Sequence, residues 1–197
     1  MSYWVLDSIM YEDSVFLSVV PPNGPECYKY SDGVTLAKEH PKIDDAIMCF
    51  DSNYPDRTKL YDFLPNIDSL IIVHSKVKNI FERLNVNNIE YLQVRLWNHN
   101  RQPVSDEYYI VNPLGSINFI DMDKSEYRMG ALVKTQIKRI KNLVVNSNVI
   151  PDDAKIFRAS TKLDQIFINE DVRKALVDEE ISGFKVFQAE GWDGLGI

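Results

Sequence analysis

Residues 89–127 read I-E-Y-L-Q-V-R-L-W-N-H-N-R-Q-P-V-S-D-E-Y-Y-I-V-N-P-L-G-S-I-N-F-I-D-M-D-K-S-E-Y, and the fold turns on how this stretch is parsed. Ile89, Tyr91, Gln93, Arg95 and Trp97 alternate with Glu90, Leu92, Val94 and Leu96, the period of a β-strand. One face is aliphatic apart from Glu90, and the other is amphipathic. Asn98 to Ser105 has the composition of a turn. Glu107 to Asn112, rich in aromatic and β-branched residues, reads as the returning strand. Pro113, Gly115 and Ser116 break it, and Ile117 to Asp121 reads as a third, short strand. The stretch therefore predicts a three-stranded sheet core.

Upstream, Tyr3–Leu6 and Val15–Val20 are two apolar runs that read as strands, and residues 21–25 (P-P-N-G-P) are the strongest break in the chain. Ser31-Asp32-Gly33 is a second turn, Ile43–Phe50 reads as a strand, and 51–66 as a loop. Ile71–His74 is a strand start. It leads into a helix whose stripe Val77, Ile80, Phe81 and Leu84 falls at i, i+3, i+4 and i+7, with Ser75 placed as N-cap. The Asn-rich segment 85–88 ends that helix.

Downstream, residues 127–145 fit both periods. Tyr127, Met129, Ala131, Val133, Thr135 and Ile137 alternate as a strand would. Met129, Leu132, Val133, Ile137, Ile140 and Val144 also fit a helical stripe, and the reading favours strands. Ala154–Arg158 and Ile166–Ile168 are further strands. Asn169 caps a short helix carrying Val172, Ala175 and Leu176, and beyond Gly183 the run Phe184–Phe187 is a strand. The unit L-I-I-V-H-S-K-V-K-N-I-F-E-R-L thus finds a patterned echo in I-F-I-N-E-D-V-R-K-A-L. The glycine-rich tail is loose unless Trp192 docks. These elements predict an α+β fold with a mixed or largely antiparallel sheet and a few short helices. They divide into an irregular β-rich N-terminal lobe (1–64) and a main α+β domain (65–197).

Composition narrows the function. The chain has 197 residues, 45% hydrophobic and 26% charged, enough for a substantial core. A net charge of −7 disfavours nucleic acid as partner, because phosphate binding needs clustered Lys and Arg. The basic stretch Arg128, Lys134, Lys138, Arg139 and Lys141 lacks interleaved aromatics and reads as a solvated face. No apolar run approaches a membrane span, and the N-terminus does not read as a signal peptide. Cys27 and Cys49, the only cysteines, make no disulfide framework and fit a reducing cytoplasm.

Chemistry is thinly marked. Asp121-Met122-Asp123 is the best metal-like pair, but Asp after a strand is common turn chemistry and Lys124 competes with a cation. His40, His74 and His99 stand in no zinc spacing. His74, between an apolar run and a helix start, reads as a satisfied, half-buried imidazole. Neither a nucleophile elbow nor a phosphate-binding glycine loop is present. Three features suit a protein interface: Trp97, the pair Tyr108-Tyr109, of which alternation exposes one, and the acidic cluster Asp178-Glu179-Glu180.

Taken in order, the segments around 60–84, I-E-Y-L-Q-V-R-L, Y-Y-I-V-N-P-L, I-N-F-I-D with Ser125, K-I-F-R at 155–158 and I-F-I-N-E-D-V-R-K-A-L…I-S-G-F-K-V-F resemble a family of bacterial immunity proteins of polymorphic toxin systems. The resemblance covers roughly residues 60–188. It carries over Asp121, Ser125, Phe157, Arg158 and Gly183 as signatures of the fold only, with no catalytic residue, metal or cofactor. It implies a cytoplasmic, non-enzymatic protein that binds and neutralises a cognate toxin, with no nucleic acid or membrane as partner and the oligomeric state left open. The alternative is a small hydrolase or ligand-binding module using Asp121, Asp123 and His74. That alternative requires the three side chains to converge in a cleft.

Overall fold

The computed structural model describes residues 2–18 and 20–195. Along the chain run β1 (Tyr3–Ser8), β2 (Ile47–Cys49), β3 (Phe63–Leu64), β4 (Ile72–His74), α1 (Ser75–Arg83), β5 (Ile89–Trp97) and β6 (Pro103–Pro113). They are followed by β7 (Glu126–Met129), β8 (Ile137–Asn142), β9 (Ile156–Ala159), β10 (Lys162–Asn169), α2 (Glu170–Asp178) and β11 (Phe184–Gln188). Strands dominate and both helices are short, so the chain is α+β.

The β5–β6 hairpin forms as its alternation requires. Leu92, Val94 and Leu96 are buried, and Leu92 lies opposite Ile110 and Val94 opposite Tyr108. Asn98 closes the turn by accepting from the backbone N–H groups of Asn100 and Gln102. Strand β6 starts at Pro103, earlier than expected, and register shifts between Val94 and Trp97 absorb the extra length; a proline is tolerated at a strand's first residue. The predicted third strand is corrected. Within 117–121 only Ile117 and Ile120 form isolated bridges, to Ala159 and Val145. Pro113 and the positive φ of Gly115 (74°) turn the chain out of this sheet. The third strand is instead β4, and the full order is β2-β5-β6-β4-β3, with β2 parallel to β5 and the other pairs antiparallel.

The second sheet is antiparallel, in the order β11-β1-β10-β9. The predicted echo is visible in its wiring. Strands β4 and β5 run parallel with β6 between them, joined by α1; β10 and β11 run parallel with β1 between them, joined by α2. Each sheet thus contains a split β-α-β unit, and both helices pack in one core between the sheets. Val77, Ile80 and Phe81 of α1 and Val172 and Leu176 of α2 meet Val73 and Val111 from one sheet and Leu6, Ile166 and Ile168 from the other.

Each sheet has a second covered face. On the five-stranded sheet, Met48, Leu92, Val94, Leu96, Tyr108 and Ile110 are covered by Val15, Leu17, Tyr30, Leu36 and Phe50. The Val15–Val20 strand is not formed: Leu17 makes isolated bridges to Phe50 and Asn66, and Val19 lies outside the described residues. The strand expected over 43–50 shrinks to 47–49, because Asp45 and Ala46 fold back onto the Lys42 carbonyl. On the four-stranded sheet, Tyr3, Val5, Phe157 and Phe167 pack against Phe119, Ile137, Ile140 and Leu143. Residues 127–145 resolve as the β7–β8 hairpin, the strand reading. Trp192 docks in this cluster, while the last two residues of the tail lie outside the described residues. Segment 1–64 supplies β1 to one sheet and β2 and β3 to the other. It therefore forms no sheet of its own.

Two polar anchors set the N-terminal segment on this frame. Glu90, the exception on the aliphatic face, accepts from Thr35 Oγ1 (2.7 Å), the backbone N–H groups of Leu36 (2.8 Å) and Ala37 (3.0 Å), and Asn112 Nδ2 (3.1 Å). Arg158, only 3% exposed, donates to the carbonyl oxygens of Pro113, Leu163 and Tyr30. Its guanidinium so ties both sheets to the Cys27–Ser31 turn. Burial lowers its pKa to about 10, still cationic at neutral pH.

Candidate partner-binding surface

Asp121, Asp123 and His74 do not converge. Asp121 N–H donates to the Val144 carbonyl, which places it in the β7–β8 layer. Its carboxylate closes a turn, accepting from the N–H groups of Asp123 and Lys124 and from Lys124 Nζ at 2.8 Å. The lysine occupies the charge-neutralising place a cation would take, and its hydrogen bond holds the Asp121 carboxyl below the usual range. His74 sits at the end of β4 in the five-stranded sheet. Its Nδ1 accepts from Lys76 N–H at 3.2 Å and so caps α1. Ser75, expected as the cap, is instead the first helical residue, because an imidazole nitrogen at position 74 reaches the same free N–H groups. With Nδ1 accepting, the proton lies on Nε2, which faces Glu107 at 3.4 Å.

A shallow cleft of about 380 Å³ beside His74 is lined by Asp62, Glu107, Tyr108 and Ser182. Ser182 donates from both Oγ (2.6 Å) and N–H (2.8 Å) to Asp62 Oδ2. That pairing locks the β3 approach to the turn before β11. Among the described residues, no three His, Cys, Asp or Glu side chains are grouped to hold a metal. Cys27 and Cys49 are free thiols.

The interface candidates fall in two places. Tyr108 is the inward member of its pair, 3% exposed, with its hydroxyl donating to the Tyr61 carbonyl at 2.9 Å; burial raises its pKa. Tyr109 is half-buried on the opposite face, edge-on to Tyr91, and Lys78 Nζ lies 5.4 Å from both rings. Helix α1 connects this aromatic pair to the acidic cluster. Its Arg83 pairs with the Glu179 carboxylate, and its Lys76 donates to the Glu179 carbonyl. Glu179 therefore holds the end of α2 onto α1, leaving Asp178 and Glu180 exposed. Trp97 lies six residues along β5 from Tyr91, roughly 20 Å away at strand rise, beside the end of β2. Tyr109, Asp178 and Glu180 thus flank one helix, and Trp97 is apart.

The fold-signature positions act internally. Ser125 Oγ accepts from Val144 N–H at 2.8 Å, Phe157 joins an aromatic cluster with Tyr3, Phe119 and Phe167, and Gly183 adopts φ 84°.

One surface had no place among the interface candidates. The tip of the β7–β8 hairpin holds Leu132, 97% exposed, and Val133, 57% exposed. Beneath it a groove of about 910 Å³ runs to Tyr28, Asp32, Leu163 and Asp164. Five of the chain's 22 Lys and Arg and one of its 29 Asp and Glu lie within 126–142, so this hairpin carries +4 while the rest of the chain carries −11. Among the described residues, Arg128, Lys134, Lys138, Arg139 and Lys141 form no ion pair. The signal in the sequence was the apolar pair between Gly130 and Lys134. The double fit of 127–145 hid it, because the helical stripe put both residues, and the strand alternation Val133, on a core face.

Comparison with known families is specific: residues 28–190 match the Immunity protein family (Imm11), and the chain belongs to that family. Membership implies an immunity function and a toxin as the class of partner. The match begins at Tyr28, well before the segments around residue 60 that carried the resemblance, and so takes in the turn anchored by Arg158. No curated protein matches the chain. Among the described residues, no helix is long and apolar enough to cross a membrane.

Proposed function

We propose that the chain is a non-enzymatic immunity protein of a bacterial polymorphic toxin system, which binds its cognate toxin in the cytoplasm of the producing cell and blocks it by occupying its surface. The observation that carries this reading is the hairpin tip. A fully exposed leucine beside an exposed valine, flanked by cations that form no ion pair among the described residues, is costly to leave in water, and such patches mark interaction sites. The polar groups nearest to an enzyme's kit are already engaged as caps and turns: His74 on Lys76, Asp62 on Ser182, Asp121 on Lys124.

The test is genetic and direct. The toxin domain encoded by the reading frame adjacent to this chain's gene is expressed alone and with the chain in a heterologous host. Survival with the chain and killing without it, together with a stoichiometric complex of the purified pair, is the expected result. Undiminished killing in its presence refutes the proposal.

A further inference from the structure

We propose, on the basis of the immunity reading above, that the groove under the β7–β8 hairpin receives an apolar segment of the toxin with carboxylates on its hairpin-facing side. The groove's floor and tip are apolar, from Met129, Leu132, Val133, Ile137 and Leu163. Its hairpin wall carries Arg128 and Lys138, and its far wall carries Asp32 and Asp164. An occupant therefore buries hydrocarbon in the middle and presents negative charge to the hairpin side.

Three other occupants fit less well on charge and shape. Nucleic acid would bring phosphates against Asp32 and Asp164 and would find Tyr28 as the one aromatic lining residue for stacking. An anionic bilayer would be repelled by the −11 carried by the rest of the chain. A second copy of the chain would pair the basic hairpin with acidic surface elsewhere. Such a contact would bring two copies of net charge −7 together, which opposes it. A toxin segment that is apolar in the middle, acidic where it meets Arg128 and Lys138, and neutral or basic where it meets Asp32 and Asp164 satisfies all of the lining at once. Complementary charge would speed encounter, and the apolar insertion would set residence time.

The experiment uses the full chain and the purified toxin domain from the adjacent reading frame. Leu132→Asp with Val133→Asp removes the apolar insertion at positions already in solvent, so the melting temperature is expected to stay at the wild-type value. The affinity is expected to weaken on the order of tenfold or more, mainly through faster dissociation. Lys134→Glu with Lys138→Glu is expected to slow association several-fold at low salt, with the difference shrinking as salt is raised. Protection in cells should fall with affinity. If the wild type binds and protects and both variants match it, the groove assignment is wrong while the immunity reading stands. If the wild type neither binds nor protects, the immunity reading fails and the groove assignment falls with it. Wild-type binding to a short RNA or DNA duplex, or to phosphatidylglycerol vesicles, that Leu132→Asp/Val133→Asp abolishes would overturn the choice of a protein occupant. So would self-association in sedimentation that the same variant abolishes, since it would assign the groove to a second copy.

Discussion

Replacing Glu90 with glutamine should expose how the N-terminal segment is held. In the wild type each carboxylate oxygen accepts twice: Oε1 from Thr35 Oγ1 and Ala37 N–H, and Oε2 from Leu36 N–H and Asn112 Nδ2. Glutamine keeps one acceptor and turns the other position into a donor. Whichever way the amide flips, an NH₂ group then faces one backbone N–H. Hydrogen bonds to a charged acceptor contribute about 1.5–3 kcal/mol each, and a buried donor left unpaired costs about 1–3 kcal/mol. Two bonds are lost in the variant, Thr35 can rotate its hydroxyl, and water reaches the half-buried site. The net loss is therefore expected near 2–3 kcal/mol, below the sum of the parts.

Urea unfolding at neutral pH measures this, with the slope unchanged because the same surface is buried. Hydrogen exchange of the Leu36 and Ala37 amides should quicken. The pH dependence has a definite sign. Burial pushes the Glu90 carboxyl up, but its four hydrogen bonds outweigh that and hold its pKa below 4.5. A depressed folded value means that the stabilisation is fully present above the ordinary value and lost as pH falls through the depressed one. The gap between wild type and Glu90→Gln should therefore stay constant from neutral pH down to about 5.5 and close below about 4.5. A loss under about 0.5 kcal/mol, the range of an ordinary surface substitution, or a gap that persists unchanged in acid, would refute the anchoring role.

Two further substitutions follow from backbone geometry. Gly183→Ala should cost roughly 3 kcal/mol or more, or abolish folding, since position 183 has φ 84° and a Cβ there would press on the Phe63 carbonyl oxygen and lie 2.9 Å from Tyr61 Cβ; denaturant titration reads it, and a neutral result would mean that β3 and β11 are not packed through this residue. Glu180→Gly should stabilise by about 0.5–1 kcal/mol, since Glu180 is exposed and held at φ 52°; a lower melting temperature would show that its side chain contributes more than its backbone costs.

Legibility divides along a physical line. Elements whose period is set by one buried face were readable: Leu92, Val94 and Leu96 in β5, Val77, Ile80 and Phe81 in α1, and Val172 and Leu176 in α2 are all buried as their spacing demands. What failed was pairing at a distance. Ile117–Asp121 has strand composition, yet it makes isolated bridges with Ala159 and Val145, partners far away in sequence. Likewise Val15 and Leu17 are fully buried without joining a ladder, because a segment can cover a sheet face with no strand of its own. At the candidate site, alternation exposed one of Tyr108 and Tyr109 without saying which, and the acidic cluster was not visible as partly internal, since Arg83 and Glu179 stand 96 residues apart. The hairpin tip was missed because Leu132 and Val133 carry the chemistry of core residues, and exposure is a property of the turn that presents them.

The two split β-α-β units give the fold a logic that neither sheet shows alone. With an offset of 95 residues, α1 and α2 correspond in length, in their side-chain caps at His74 and Asn169, and in their left-handed residues at Asn85 and Glu180. The hydrogen bonds closing them also correspond, Val86 N–H to the Phe81 carbonyl and Ile181 N–H to the Leu176 carbonyl. Most identities differ while the wiring repeats, so what is repeated is a solution to one problem: burying a nine-residue helix against three strands. The two helices bury their apolar faces in the same core, and each sheet then has its other face to cover. One is covered by the irregular N-terminal segment, pinned by Glu90 and Arg158. The other is covered by the β7–β8 hairpin, whose base is buried through Ile137 and Ile140 and whose tip runs past the sheet into solvent. The repeated frame is committed to its own core, and the two coverings are free to vary in sequence at their outer surfaces. A specificity surface placed on the hairpin can therefore change without disturbing either β-α-β unit.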